Sequence, residues 1–561
     1  MKFTSFLNIA LVVLTASMLS CNNKETATLN DGGLVLPAGF SSSIVADSLG
    51  KTRHLVVTPQ NDIYVRLAEP KNGYGTLLLH EENGKAKLIY GFGSFGGTGI
   101  HIHNNYLYTA SDSDIFRYKL DGDNHVIDTA HPERIVTGLV DGDEHNTKSI
   151  MFDGSGNMYI PIGAPSNSCQ EHDRQTGSMG IKGCPLLETA GGVWMFSADK
   201  KDQTYADGIR YATGLRNVVA VDWNYQSNKL FVMQHGRDQL NTIFPALYTA
   251  KQNAQLPAEC MYALTKGDNA GWPYIYFDPF KNKKMLAPEY GGDGVKTVDT
   301  PYINPAVAFP AHMAPNGLLF YTGDMFPEKY KNGAFIAFHG SWNRSPEPQA
   351  GYFVVFQPFK NGAPSGDWEV FADNFSGSPD STASGHAEHR PCGLAQGPDG
   401  ALYVTDDVRG TIFKITYNKN DLERDKNKPT PNNFRDKLAD NTNATANNIN
   451  DNMAAGRSVY TANCATCHQA DGKGTGTMIP PLAGTGYVSG DKDKLITALL
   501  KGVSKEEIDG KAYSNVMPPF AQLSDGDIAN VLTYVRSNFG NNAAAITTDD
   551  VKQTRVISGR K

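Results

Sequence analysis

Near the C-terminus, "NCATCHQADG" sets Cys464, Cys467 and His468 in the spacing C-x-x-C-H. Two thiols three residues apart can each bond one vinyl carbon of a haem, and the next residue places its imidazole under the iron. The same residues also suit a redox dithiol or half of a zinc site, but a zinc site wants a second ligand pair and none follows. A haem wants a second axial ligand on an apolar loop downstream. Met517, in "SNVMPPF", supplies it, because a thioether sulfur raises the potential of a His-ligated iron and suits electron transfer. Met478, in "GTMIPPLAG", is the rival, yet the two prolines after Met517 stiffen its loop. His468 and Met517 are thus the expected iron ligands, with Cys464 and Cys467 as the covalent attachment.

Downstream, "SDGDIANVLTYVRSNF" predicts a helix. Ser524 is its N-cap, with Asp525 and Asp527 in the first turn, and Ile528, Val531, Leu532 and Val535 form one apolar stripe. Residues 452–540 resemble a class I cytochrome c domain, and Gly456 and Tyr460 fit that family's first helix. Residues 541–561 are left as a C-terminal tail.

A second set of chemically able residues lies earlier. His145 stands in "DEHNTKSIMF" beside Glu144 and Lys148, and Arg216 and Asn217 stand in "ATGLRNVVAVDW". "QHGRDQLN" holds His235, Gly236, Arg237 and Asp238; "HGSWNRSPEP" holds Asn343 and Arg344; "HAEHRPCGLAQGPDG" holds Arg390. Singly each has a plain structural use, such as a surface ion pair worth under about 1 kcal/mol. Converging on one mouth, three arginines and a histidine would bind a flat polyanion, since guanidinium forks match carboxylates.

The elements that would bring them together repeat. A turn residue, then an apolar residue, then an aromatic recurs as "NDIYV", "NNYLYT", "GNMYIP", "NKLFVM", "NGAFIA" and "GALYVT" between residues 33 and 417. In "ALYVTDDVRGTIFKITY", "DDVRG" reads as a hairpin turn between two strands. Short sheets repeated in this way predict an all-β six-bladed propeller followed by a small all-α domain. A β-sandwich or a pair of barrels is the alternative. The uneven spacing places long insertions between some blades, where function usually sits. Residues 418–451 are polar, rich in Asn, Asp and Lys, and read as a solvated linker.

The chain has 561 residues and a formal charge of -7, which gives no basic footprint for nucleic acid. Residues 1–21, "MKFTSFLNIALVVLTASMLSC", read as a secretory signal, with "MLSC" a loose lipobox and Cys21 a lipid-anchor site; plain secretion is the other possibility. The expectation is an exported protein, periplasmic or anchored in the outer membrane. Cys169 and Cys184 are close enough to close a loop in an oxidising compartment, while Cys260 and Cys392 can pair or remain free thiols.

Taken together, "EHNTKSIMFDGSGNMYIPIG", "YATGLRN", "HGRDQL", "GDNAGWPY", "AFHGSWNRS", "GYFVVF" and "RPCGLAQGPDGALYVTDD" resemble the quinoprotein sugar dehydrogenases, the group with sorbosone dehydrogenases and soluble glucose dehydrogenase. The resemblance implies a propeller that holds pyrroloquinoline quinone (PQQ) with calcium (Ca2+) beside it. His145 then matches the general base that takes the substrate hydroxyl proton while hydride passes to the quinone. Arg216, Asn217 and Arg390 match cofactor-binding residues, Arg344 or Asn343 falls near a cofactor lysine, and His312 near a threonine. Gly236 and Arg237 match the pair whose carbonyls hold calcium. Two departures stand out. The aspartate expected to support the base is Ala164, leaving Glu144 as a substitute, and Arg237 replaces a proline.

The expected function is oxidation of a sugar, polyol or aldehyde, with electrons leaving through heme c to a cytochrome, a copper protein or a respiratory chain. A calcium-dependent propeller lactonase or hydrolase, or a non-catalytic sugar- or partner-binding propeller, is the alternative, and neither gives the haem any work.

Overall fold

The computed structural model describes residues 32–431 and 456–558, apart from 143, 346–347, 378–385, 458 and 505–506. The expected signal, the anchoring Cys21 and most of the expected linker lie outside these residues. The chain divides into two units, one ending at Asn432 and one beginning at Asn433.

The first unit is a six-bladed propeller. Five sheets follow in chain order, opening with Thr52–Val57, Ile100–His103, Met151–Phe152, Val218–Asn224 and Pro315–Phe320. The sixth joins Phe40–Ala46 to Thr411–Tyr417, Leu402–Asp406 and Pro391–Gln396, so the first strand of the chain closes the last blade. The six repeats of the sequence are the second strands of the six sheets: Asp62–Lys71, Tyr106–Ala110, Asn157–Ile162, Lys229–Gln234, Ala334–Phe338 and Leu402–Asp406.

Each repeat is built alike. The residue opening it has left-handed backbone: Asn61, Asn105, Gly156, Asn228, Asn332 and Gly400, with φ between 51° and 85°. Asn and Gly tolerate that conformation, which turns the first strand tightly back into the second. The aromatic that follows (Tyr64, Tyr108, Tyr159, Phe231, Phe335 or Tyr403) is at most 3% exposed and packs between sheets. Edge-to-face contacts such as Phe40–Phe326 and Phe40–Phe371 continue this packing between the last two blades. Such pairs add about 0.5–1.5 kcal/mol each beyond area burial. The "DDVRG" hairpin is present, with Gly410 at φ 74° and its N–H donating to the Asp406 carbonyl.

This topology decides where chemistry can sit. First and second strands are antiparallel, so the segment entering a first strand and the segment leaving a second strand lie on the same face of the ring. His145, Arg216, Asn217 and Arg390 enter first strands; His235–Asp238 and His339–Arg344 leave second strands. The long insertions 163–191 and 235–258 leave second strands too, and therefore cover the same face. Cys169 and Cys184 are disulfide-bonded across the first of them, whereas Cys260 and Cys392 are buried free thiols.

The second unit is helical. Ser524 caps Asp525–Ser537, accepting from the Asp527 N–H, and Ile528, Val531, Leu532 and Val535 are buried as the stripe requires. Gly456 lies where the first helix crosses this one: a Cβ there would stand 2.2 Å from the Asn530 carbonyl oxygen. Tyr460 packs on Tyr534 and Phe539. The segment read as a tail folds instead. Thr548–Ser558 is a helix whose Val551 is fully buried, tied by Thr554 to Asp493 and by Arg555 to Asp525. Its apolar signal is sparse, and polar contacts carry the docking.

Candidate functional site

At the propeller face, the residues expected from sequence meet around a carboxylate to which no role had been given. Asp238 accepts from Arg216 Nη2 at 2.9 Å and from Asn343 Nδ2 at 2.8 Å, and His312 Nδ1 stands 3.5 Å away. Its main chain is fixed by Asn167, which accepts from the Asp238 N–H and donates to the Asp238 carbonyl. Burial would push this carboxyl up, but Arg216, His312 and Arg174 hold it far below the usual carboxylate range.

His145 sits against this cluster in left-handed backbone, φ 60°. Its Nδ1 lies 2.6 Å from the Ala164 carbonyl. A carbonyl only accepts, so Nδ1 carries the proton and Nε2 keeps its lone pair. The aspartate missing at position 164 is thus replaced by the main chain of Ala164 itself. Burial, followed by the Arg216 cation, holds the imidazole down to about 3. Glu144 is not hydrogen-bonded to it: its carboxylate is 4.0 Å from Nε2 and accepts from both Nε and Nη2 of Arg174 at 3.1 and 2.8 Å. Arg174 was not foreseen. It comes from the disulfide-closed loop, whose only sequence signal is the spacing of its two cysteines.

Arg216 is buried and donates to the Asn167 and Gly236 carbonyls as well as to Asp238. Beside it Asn217 is buried, and its Oδ1 finds no hydrogen-bond partner among the described residues. His235, 3.4 Å from Asn217 Nδ2, donates through Nε2 to the Pro315 carbonyl, and burial lowers it to about 4. Further round the ring, Arg390 donates to the carbonyls of His339 and Gly340, and its guanidinium lies over Tyr352. His339 pairs with Asp407, which also accepts from Arg53.

One expectation is corrected. Of the adjacent pair Asn343 and Arg344, Asn343 reaches the cluster. Arg344 is buried the other way, donating to the Pro348, Ala254 and Ala311 carbonyls. The Arg237 side chain pairs with the buried Glu289, which leaves open the role expected of its main-chain carbonyl. The Gly236 carbonyl accepts from Arg216 at 2.9 Å, so one cation already stands where a second would bind. The described residues contain no cluster of three His, Cys, Asp or Glu side chains able to hold a metal. A calcium ion at the Gly236 carbonyl would share that oxygen with the Arg216 guanidinium. For a tricarboxylate quinone the donors fit, with Arg216 and Arg390 able to donate to carboxylates and the orphaned Asn217 Oδ1 able to accept from an N–H or O–H of the bound group.

In the helical unit, Cys464, Cys467, His468 and Met517 line one apolar pocket. His468 is buried, and its Nδ1 donates to the Pro480 carbonyl at 3.0 Å, leaving Nε2 free to ligate. Such outer contacts fix the tautomer of a ligating histidine. Met517 is clamped by paired main-chain bonds with Val503, while Met478, also on the lining, is 52% exposed. These residues fit a covalently bound haem.

A six-bladed propeller with a cationic, histidine-bearing face, joined to a helical unit built to hold a haem, defines the class. Residues 34–276 and 289–418 match the TrAA12-like family, to which the chain belongs, and residues 453–539 match the cytochrome c family. A pyrroloquinoline quinone-dependent sugar dehydrogenase of Hypocrea jecorina (strain QM6a) is 22% identical over 446 residues, covering 73% of this chain and 97% of its own. Cytochrome c-552 of Thermus thermophilus is 37% identical over 115 residues, 18% of this chain and 86% of its own. An uncharacterised Borreliella burgdorferi protein is 27% identical over 271 residues, 47% of this chain, and is itself covered for 65% of its length. A Trichoderma reesei family AA12 structure, described as a calcium structure, superposes with a TM-score of 0.56 at 18% identity, covering 71% of this chain and all of that one.

Proposed function

We propose that this protein is a quinohaemoprotein dehydrogenase that oxidises a sugar, or a related polyol or aldehyde, at the propeller face and releases electrons through a c-type haem. The observation that carries the reading is His145: half-buried, its Nδ1 proton fixed on the Ala164 carbonyl, its Nε2 keeping its lone pair, and the imidazole held neutral by burial and by the Arg216 cation. That is the state a general base needs before it acts. The name of the Hypocrea jecorina relative supports the same chemistry. Pyrroloquinoline quinone, when bound, supplies the two-electron acceptor, and the haem supplies the one-electron outlet. His145 takes the proton of the substrate hydroxyl at Nε2. Arg216 and Arg390 hold carboxylates, Asn217 Oδ1 accepts from a donor of the bound group, and Asp238 keeps Arg216 and Asn343 in place. Export with a lipid anchor at Cys21 belongs to this reading; the Cys169–Cys184 disulfide and the haem motif, both suited to an oxidising compartment, support it.

The test uses purified full-length protein supplied with quinone and calcium and a panel of sugars, with haem reduction as the readout. Quinone-dependent reduction by at least one sugar is expected. His145→Ala should still bind quinone and lose about 10²–10⁴-fold of the rate, the usual worth of a positioned base. Absence of quinone-dependent reduction with every sugar, or normal turnover by His145→Ala, would overturn the reading.

A further inference from the structure

Left-handed backbone at residues other than Asn, Asp or Gly is concentrated at this site. His145, Cys169, Arg174, Gln239 and His312 all have φ between 52° and 64°. Such conformations persist where surrounding contacts over-determine them. Three of the five belong to, or touch, the disulfide-closed loop 169–184. That loop is docked firmly: Asp173 accepts from Ser166 and the Asn167 N–H, the Gly177 N–H donates to the Ile243 carbonyl, and the Gly180 N–H to the Glu289 carbonyl. Its one side chain reaching the histidine's surroundings is Arg174, which binds Glu144 through two donors, Gln239 through a third, and stands 3.7 Å from Asp238.

We infer that Arg174 is a positioning residue that holds the Glu144 carboxylate away from His145 and thereby sets the pH at which the base is lost. The inference rests on the reading of His145 as the base. The groups facing that imidazole are few. From its own segment there is Glu144, and from the segments entering and leaving the neighbouring sheets come Arg216, Asn217, His235, Asp238 and the Ala164 carbonyl. Of the carboxylates, Asp238 is bound to Arg216, and Glu144 is hydrogen-bonded to Arg174 alone among the described residues. A carboxylate released to hydrogen-bonding distance would favour the imidazolium.

The sign follows. A base works when neutral, so anything that favours its protonated form moves the acid limb of activity to higher pH. Arg174→Gln frees Glu144 and should raise the midpoint by about one pH unit, the low end for an opposite charge at this range, because Glu144 is partly solvated. Below the limb that is about a tenfold loss of rate. Glu144→Gln leaves Arg174 as an uncompensated cation and should move the midpoint downward. The double variant should return close to the native value.

The experiment is an NMR titration of ¹³Cε1-labelled histidine in the full-length, quinone-free protein from pH 2 to 8, with the His145 resonance assigned by its loss in His145→Gln. Arg174→Lys, which keeps the charge but not the two-point bond, should move it in the same direction by less. An unmoved midpoint in Arg174→Gln, or an equal shift in Arg174→Gln and the double variant, overturns the inference. The acid limb of sugar-driven haem reduction provides the second readout. If native protein shows no such reduction, the proposed function falls, while the quinone-free titration still decides the role of Arg174.

Discussion

Met517 and Met478 both reach the cavity that carries Cys464, Cys467 and His468, and only their surroundings separate them. Met517 is held on both main-chain sides by Val503, with Gly502 at φ 76° packed so closely that a Cβ would lie 2.5 Å from the Met517 carbonyl oxygen. Met517→Ala should leave haem covalently bound and abolish the weak thioether absorption band of the oxidised protein. Survival of the band there, with its loss in Met478→Ala, would reverse the assignment. Residue types were legible in the sequence here because covalent attachment imposes a fixed spacing. At the propeller face they were legible only in part. His145, Arg216 and Asn217 stand together as expected, but the choice between Asn343 and Arg344 depends on which way one loop turns. The importance of Asp238 depends on Arg216, Asn343 and His312 arriving from three separate segments that flank the fourth and fifth sheets. No pattern local to any of those segments records that meeting.

Among the elements, the six turn-plus-aromatic repeats were readable because each blade solves one problem in one way: a left-handed turn residue, then a ring buried between sheets. The same logic makes Gly456 a sharp test of the helical unit. Its missing side chain lets two helices cross in contact, and a methyl group would meet the Asn530 carbonyl oxygen at 2.2 Å. Gly456→Ala should destabilise this unit by about 1–3 kcal/mol, the usual cost of overpacking, despite the better helix propensity of alanine. Thermal unfolding followed at the haem band would show it; an unchanged or raised midpoint would mean that the crossing yields. Thr548–Ser558 was missed for the opposite reason. Its burial depends on Val551 and on polar ties to Asp493 and Asp525, and such ties have no period to detect.

For the whole molecule, the reading of an anchored, exported protein can be checked apart from its catalysis. Two or more acyl chains retain a protein on a membrane far better than one. Cys21→Ser should therefore move the protein from the membrane to the soluble fraction, and equal retention of both forms would count against lipidation. The division into a sheet unit and a helical unit was visible in composition, since glycine-rich repeats give way to a polar stretch and then to a helical period. The closure of the ring was not, because "FSSSIVA" carries no mark of its distant partner. That closure has a consequence for how the protein is made. Ser41 bonds Thr416 across 375 residues of chain. A ribosome releases the first strand long before the strand it must pair with, so Phe40–Ala46 waits with both edges bare while five sheets emerge in order. Only when Thr411–Tyr417 arrives can the ring shut, and Cys464 and Cys467 emerge later still. Synthesis thus sets a sequence of events: blades, then closure, then haem attachment. A chain stalled before residue 411 would hold His145, Arg216 and Arg390 on a ring that cannot close.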